Sequence, residues 1–387
     1  MPLDNLQELS EERLCSRCRG RLFASVGHGL SNMERGRHVE YALEAFGYTV
    51  TRVPEKECPI CRGIFCELQA YSNEIARRLD MYQYKSFLIG TTVSRDILNM
   101  EKSMQIKYGG MGESLKKEIN REIGKLLGSA SGKEFDKSDP DIMVKIDTTY
   151  MNIDLQIKSI YIYGVYRKLR RDIPQTRWIK YSQIKDTVES VIGEEAMSMA
   201  DGTNYFLHGA GREDVDVRML GNGREFIIEV ANPKVRSIDL ENLKERINSK
   251  NKGVEVDNLS FATKDDVVRI KDERYVKKYR AILESVNGDP IDTEHLQKAI
   301  EQLNGKVIYQ RTPLRVSASR SDLIRHREIK GIYLDDEDLP SIIVEAEAGT
   351  YIKELVSGDD GRTTPNLSDL VGQKIRIREL DVIEIER

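Results

Sequence analysis

The chain has 387 residues, 39% of them hydrophobic and 32% charged, enough apolar material for packed cores in two or three domains. No stretch approaches the roughly 18 consecutive apolar residues of a membrane span. The polar, acidic start Met1-Pro2-Leu3-Asp4 lacks the basic and apolar regions of a secretory signal, so a soluble, cytoplasmic protein is expected.

The five cysteines all lie in the first 66 residues. Cys15-Ser16-Arg17-Cys18 and Cys58-Pro59-Ile60-Cys61 are two Cys-x-x-Cys pairs. Short loops of this kind present two thiolates to one tetrahedral metal, and two pairs complete a set of four cysteine ligands. A disulfide is disfavoured by a reducing compartment, and a redox role by the presence of two knuckle-like pairs. Residues 1–70 are therefore predicted to form a module around structural zinc held by Cys15, Cys18, Cys58 and Cys61. The site has no open position for catalysis. Cys66 is left over, as a buried thiol or an idle one. Within this module Arg37 to Phe46 reads as a helix.

Residues 71–165 form a second predicted unit. Leu115, Ile119, Ile123 and Leu126 recur at helical spacing behind Ser114, a plausible N-cap. Ile142, Val144 and Ile146 alternate with polar positions, as do Ile153, Leu155 and Ile157, and a turn between the two runs makes them a hairpin. Gly109-Gly110-Met111-Gly112-Glu113-Ser114 invites a phosphate-loop reading. It lacks Gly-Lys-Ser/Thr and a preceding strand, so it is read as a turn.

Residues 166–387 form the third and largest unit. Strand-like runs cover Phe226–Val230, Val254–Phe261, Tyr279–Ile282, Val307–Tyr309, Ile329–Tyr333, Ile342–Ala346 and Ile375–Ile385. Helices are suggested at Leu240–Ile247 and Leu296–Leu303. Strands with interspersed helices indicate an α+β domain with a mixed or mostly antiparallel sheet.

A net charge of −4 gives no global sign of RNA binding, but the charge is unevenly spread. Tyr166 to Lys180 holds Arg167, Lys168, Arg170, Arg171, Arg177 and Lys180 against Asp172 alone. Arg311 to Lys330 is similarly basic, with Arg311, Arg315, Arg320, Arg325 and Arg327, whereas acids collect at Asp335-Asp336-Glu337-Asp338. Localised stripes on an acidic protein suit a phosphate track. Residues 209–226 are the densest stretch in chemistry. Asp214 and Asp216 stand beside Arg212 and Arg218 among Gly209, Gly211, Gly221 and Gly223, ahead of the strand-like Phe226–Val230. A carboxylate in a tight, basic, glycine-rich loop is a candidate nucleophile or acid–base group.

Gly211-Arg212-Glu213-Asp214 resembles the loop that carries the catalytic aspartate in pseudouridine synthases. The longer string through Val215-Asp216-Val217-Arg218-Met219-Leu220 to Gly223-Arg224 resembles the "Pus ten" branch of tRNA pseudouridine synthases in archaea and eukaryotes. That branch has Pro-Phe where this chain has Glu225-Phe226. The helices and strands of residues 71–165 resemble a THUMP module, which implies a grip on the acceptor end of tRNA. The resemblance implies isomerisation of uridine to pseudouridine in the tRNA T-loop, at position 54, 55 or both, with no organic cofactor; a monomer is expected. It assigns the catalytic carboxylate to Asp214, with Asp216 as a partner in the loop.

An enclosed carboxylate tends toward neutrality, at about 1.36 kcal/mol per pKa unit. An opposite charge at about 4 Å, at an effective dielectric near 20, returns roughly 4 kcal/mol. The required cation is found in Gly349-Thr350-Tyr351-Ile352-Lys353, which resembles the family's Gly-Thr-Tyr-Ile-(Arg/Lys) motif and implies that Lys353 pairs with the aspartate. Tyr279 resembles the family's tyrosine that stacks on the flipped base, which implies that it also takes the C5 proton, with Tyr275 as an alternative; a phenol stacks through its ring and accepts or relays a proton through its hydroxyl. Base flipping and phosphate contacts are expected of Arg212, Tyr351, Arg311, Arg315, Arg167, Lys168 and Arg171. Another RNA-modifying enzyme with a THUMP-like module would need a Gly-rich S-adenosylmethionine loop or a Ser-Gly-Gly-x-Asp-Ser ATP loop, and the sequence has neither. A non-catalytic tRNA-binding or chaperone protein with a degenerate site would lack some of these groups, and none is missing.

Overall fold

The computed structural model describes residues 4–177, 183, 186–318, 320–335 and 340–387. Trp178 and Lys180 of the first basic run, and Asp336, Glu337 and Asp338 of the acidic run, lie outside the described residues. The chain divides into two compact units, Met1–Lys158 with Lys234–Arg236, and Ser159–Pro233 with Ser237–Arg387. The boundary expected after residue 165 falls inside a strand, Ile160–Lys168, which belongs wholly to the second unit.

In the first unit a four-stranded sheet has the order β2 (Glu134–Phe135), β1 (Ser86–Thr92), β3 (Ile142–Asp147), β4 (Asn152–Ile157). β3 and β4 form the predicted antiparallel hairpin, with Ile142 opposite Ile157 and Ile146 opposite Ile153. Helix Leu115–Ser131 begins where Ser114 accepts the Lys117 N–H, and it buries Leu115, Ile119, Ile123 and Leu127. Leu126, one place off that stripe, is only partly buried. The four paired cysteines share a hydrophobic core with these helices and strands. Helix Asn32–Ala45 carries a capping box from Ser31 and Glu34 and begins five residues ahead of the predicted Arg37.

Ten strands among the described residues build the sheet of the second unit. In chain order they are β5 (Ile160–Lys168), β6 (Asn204–Gly209), β7 (Val217–Ala231), β8 (Val254–Ala262), β9 (Lys277–Ser285), β10 (Val307–Arg311), β11 (Ile324–Leu334), β12 (Ser341–Ala346), β13 (Thr363–Thr364) and β14 (Ile375–Ile385). Their order across the sheet is β13-β10-β11-β12-β9-β14-β7-β5-β8, with β6 paired to β7. Only β7 and β14 pair in parallel; every other pairing is antiparallel, so the sheet is mixed and mostly antiparallel as expected. Helices Val188–Ala200, Leu240–Ser249 and Thr293–Leu303 contribute Val191, Leu243 and Leu296 to its core. The central strands β7, β9 and β14 are the ones that frame the candidate site.

Candidate active site

The loop 210–216 joins β6 to β7. Strand β7 starts at Val217 and already contains two of the glycines that the sequence reading placed in the loop. Gly221 has φ of +57°, and a Cβ there would lie 1.8 Å from the Ile383 carbonyl oxygen, so only glycine lets β7 bend against β14 at that point. Gly211, with φ of +85°, makes the turn that leads to Asp214.

Asp214 is half-buried and meets two cations. Arg315 Nη1 lies 2.8 Å from its Oδ2, and Lys353 Nζ lies 3.3 Å from the same oxygen. Burial pushes the Asp214 carboxyl up, but Arg315 and then Lys353 outweigh it, and the group rests below the ordinary aspartate range. Asp214 is therefore a carboxylate at neutral pH. Lys353 sits closer to Asp216, 2.8 and 2.7 Å from its two oxygens, and Asp216 is largely exposed. The nearest partner of Asp214 is thus Arg315, which sequence reasoning had placed among the RNA contacts. Arg315 is anchored in turn by Glu354, 2.7 Å from its Nε. A turn of 3₁₀ helix, Leu314–Val316, delivers Arg315, and helix Ile352–Ser357 delivers both Lys353 and Glu354.

Tyr279 on β9 lines the same cavity as Asp214, Lys353 and Arg315, a cleft of about 270 Å³ that also includes Arg212 and Tyr351. Burial pushes the Tyr279 phenol up to about 12, so its hydroxyl stays protonated. Both Tyr279 and Tyr275, the alternative, pack against the core, but Tyr275 is not among the residues that line the cleft.

Beneath the loop lies a charged network that the sequence reading missed. Glu213, the variable residue of Gly-Arg-x-Asp, is buried and accepts hydrogen bonds from the Tyr166 hydroxyl at 2.8 and 2.9 Å. It also pairs with buried Arg224 at 3.0 Å, and Arg224 donates to the Ala210 carbonyl at 2.7 Å. Lys168 is fully buried. It donates to the carbonyls of Ile173, Asp214 and Val215 at 2.8, 3.0 and 3.2 Å. Three acceptors use all three N–H groups of an ammonium, so Lys168 has none left for a phosphate. Arg171 is committed similarly, to the carbonyls of Asp216 and Leu380 and to Glu379 and Asp381. The expected RNA contacts Lys168 and Arg171 are corrected accordingly: both brace the aspartate loop from behind.

The family profile described as "Pus10, C-terminal" matches residues 161–386, and "Pus10 THUMP domain, archaeal" matches residues 71–147. The chain belongs to the Pus10 family. Three relatives carry the name tRNA pseudouridine synthase Pus10. That of Thermoplasma acidophilum is 47% identical over 99% of this chain and 98% of its own. Those of Picrophilus torridus and Pyrococcus furiosus are 45% and 38% identical, over 99% and 100% of this chain and 99% and 98% of their own.

The remaining expected contacts of this Pus10 chain lie at or near the mouth of the cleft or on the sheet surface. Arg212 is exposed on the loop. Tyr351 accepts a hydrogen bond from Arg320 at 2.9 Å, and the Arg320 and Arg325 guanidiniums lie 5.9 and 5.8 Å from its ring centre. Arg311 pairs with Asp322 at 2.6 Å across the base of the β10–β11 loop, and both are exposed. Arg167 points outward from β5 to an exposed pair with Glu255 at 2.8 Å.

In the first unit, Cys15, Cys18, Cys58 and Cys61 are buried and bring their sulfurs within 4.8 Å of one another, so the cluster could hold a metal ion. The Cys15 and Cys61 sulfurs are 3.7 Å apart. Four sulfurs at about 2.3 Å from one ion are separated by about 3.8 Å, so the spacing fits a tetrahedral site. The Cys18 N–H points at the Cys15 sulfur across 3.4 Å, as a short thiolate-presenting loop requires. Cys66 is exposed rather than buried and stands outside the cluster, its thiol 3.4 Å from Glu55.

Proposed function

We propose that the protein isomerises uridine to pseudouridine in the T-loop of tRNA, at position 54, 55 or both, with Asp214 as the catalytic carboxylate. The observation that carries this reading is the meeting of Asp214, Tyr279 and Lys353 in one cleft of a Pus10-family chain. Asp214 enters the reaction charged and acts at the glycosidic carbon or the base, with Arg315 and Lys353 holding its charge. Tyr279 stacks on the flipped uracil and retains it after the C1′–N1 bond breaks. Arg212 and Tyr351, which line the cleft, fill the stack that the base leaves. Arg311 and Arg167 supply phosphate contacts, which position the arm without reading its sequence. The reaction needs no organic cofactor, because uridine and pseudouridine are isomers. We assign the protein to the cytoplasm as a monomer; five unbridged cysteines suit a reducing compartment, and no helix among the described residues is long and apolar enough to cross a membrane.

The test is tritium release from unmodified tRNA carrying C5-tritiated uridine. Release without S-adenosylmethionine or ATP supports isomerisation, and its absence removes the reading. The four-cysteine cluster is assigned structural zinc. Its residues close around the ion, which leaves it a folding role in the first unit. Purified protein is expected to carry one equivalent of zinc by elemental analysis, and Cys61→Ser to carry less and to melt earlier. Wild-type protein free of zinc with unchanged melting would remove that assignment.

A further inference from the structure

Lys277 is absent from the scheme above, yet it lines the same cleft as Asp214 and Tyr279. It opens β9, and strand alternation puts residues 277, 279, 281 and 283 on one face. Ala281 and Leu283 enter the core, while Lys277 and Tyr279 carry that face into the cleft. The Lys277 ammonium approaches the aspartate loop at Gly211. A Cβ built on that glycine would lie 3.2 Å from Lys277 Nζ and 3.0 Å from Arg224 Nη1. Gly211 thus opens the space into which both cations reach.

Lys277 differs from Lys168 and Lys353 in having no partner. Its side chain makes no hydrogen bond and no ion pair among the described residues. The charged groups that face it are Arg224 and Glu213 from the loop and β7, and Arg274 from the segment leading into β9. Lys271 and Glu273, from the end of helix Lys264–Asp272 and the residue after it, share the cleft. Its register partners on β12 and β14, Ala346 and Ile385, carry no charge. Glu213 is already taken by Arg224 and Tyr166. An enclosed lysine beside an arginine and without a carboxylate of its own favours the neutral amine. Burial first, and Arg224 next, bring the group down to about 7.

We propose that Lys277 is the base that removes the C5 proton of the rejoined uracil, an assignment that rests on the uridine-isomerising reading. Once C5 has bonded to C1′, C5 is tetrahedral and still carries its hydrogen, and N1 is doubly bonded to C6. The amine lone pair of Lys277 takes the C5 proton. The C–H electron pair re-forms C5=C6, the N1=C6 pair returns to N1, and N1 takes a proton from water. The new ammonium returns its proton to water, so nothing is oxidised or consumed. A Tyr279 phenol held near 12 is a poor acceptor for that proton at neutral pH, which leaves the ring to stack and the hydroxyl to donate.

The experiment compares wild type, Lys277→Met and Lys277→Arg on tRNA carrying C5-tritiated or C5-deuterated uridine. Both variants are expected to bind tRNA within about twofold of wild type and to release tritium about 10²- to 10⁴-fold more slowly, the usual contribution of a general base. They are expected to show an enlarged deuterium effect and to lose the rise in turnover with pH through about 7 that the free amine gives wild type. Lys277→Arg separates the roles, because a guanidinium keeps the charge but offers no lone pair. Full-rate turnover by Lys277→Arg with a wild-type pH profile overturns the assignment. Should the variants fail to fold, a wild-type turnover that is flat between about pH 6 and 8 overturns it instead. Wild type that releases no tritium at all removes the reaction itself, so the two failures are distinct.

Discussion

Asp214→Asn is expected to lower single-turnover pseudouridine formation on the order of 10⁴-fold, within the range seen when one member of a catalytic unit is lost. Affinity for tRNA should stay within about threefold, so the loss falls on chemistry rather than binding. Asparagine keeps the shape and accepts a hydrogen bond from Arg315 but carries no charge to act at the glycosidic carbon. Asp216→Asn is expected to cost tenfold or less. Asp216 is more exposed than Asp214, and its main bond is to Lys353, at 2.7 Å. Its removal turns Lys353 wholly toward Asp214, 3.3 Å away. Single-turnover tritium release with filter binding separates the two quantities. Equal losses from the two substitutions would sink the assignment of the carboxylate. Because Arg315 and Lys353 hold Asp214 below the ordinary aspartate range, the group is charged above that range. Turnover should not fall on its account until the pH drops below the range of an ordinary carboxylate.

The parts of this fold with a strict period were legible in the residues. Ser114 and the stripe behind it specify a helix that the structure caps at Ser114 and buries at Leu115, Ile119 and Ile123, the stripe ending on Leu127 rather than Leu126. The alternation of Ile142–Ile146 and Ile153–Ile157 specifies a hairpin in the observed register. The four-cysteine cluster follows from two knuckles alone. Within the basic run, counting charge without period misplaces Lys168, while Arg167 is exposed. Ile160, Ile162, Tyr166 and Lys168 share the parity of a single strand face, and that face is the core, so Lys168 had to point inward. The same alternation pairs Lys277 with Tyr279. Arg315 carried no such signal. It lies on a single 3₁₀ turn between β10 and β11, where no period constrains direction, and its partner is 101 positions away. Glu213 was invisible for a different reason: motif reasoning treats the x of Gly-Arg-x-Asp as free, while burial of Arg224 and Tyr166 demands an acceptor there.

Lys168→Met provides the sharpest separation between a brace and a phosphate contact. The substitution removes a buried ammonium, leaves the Ile173 carbonyl without its donor, and leaves the Asp214 and Val215 carbonyls with only the Val217 and Asp172 N–H groups. It also takes one cation from the surroundings of Glu213, 3.9 Å away, where both side chains are essentially inaccessible to water. Glu213 keeps its closer pair with Arg224 at 3.0 Å, so the main loss is the hydrogen bonds of a buried charged donor and one orphaned acceptor, about 1–3 kcal/mol. Urea denaturation should therefore place Lys168→Met lower by about that amount. Turnover in the folded fraction should fall as well, because two of the three carbonyls belong to the loop that aims Asp214. The salt dependence of tRNA binding then distinguishes the two roles. Each phosphate contact contributes about 0.7–0.9 to the slope of log affinity against log salt. Arg167→Ala, which removes an exposed cation, is expected to flatten that slope by about one contact's worth. Lys168→Met is expected to leave it unchanged. A flattened slope with undiminished stability in Lys168→Met would return that lysine to the RNA surface and leave the bracing of the aspartate loop to Arg171, Arg224 and Gln175.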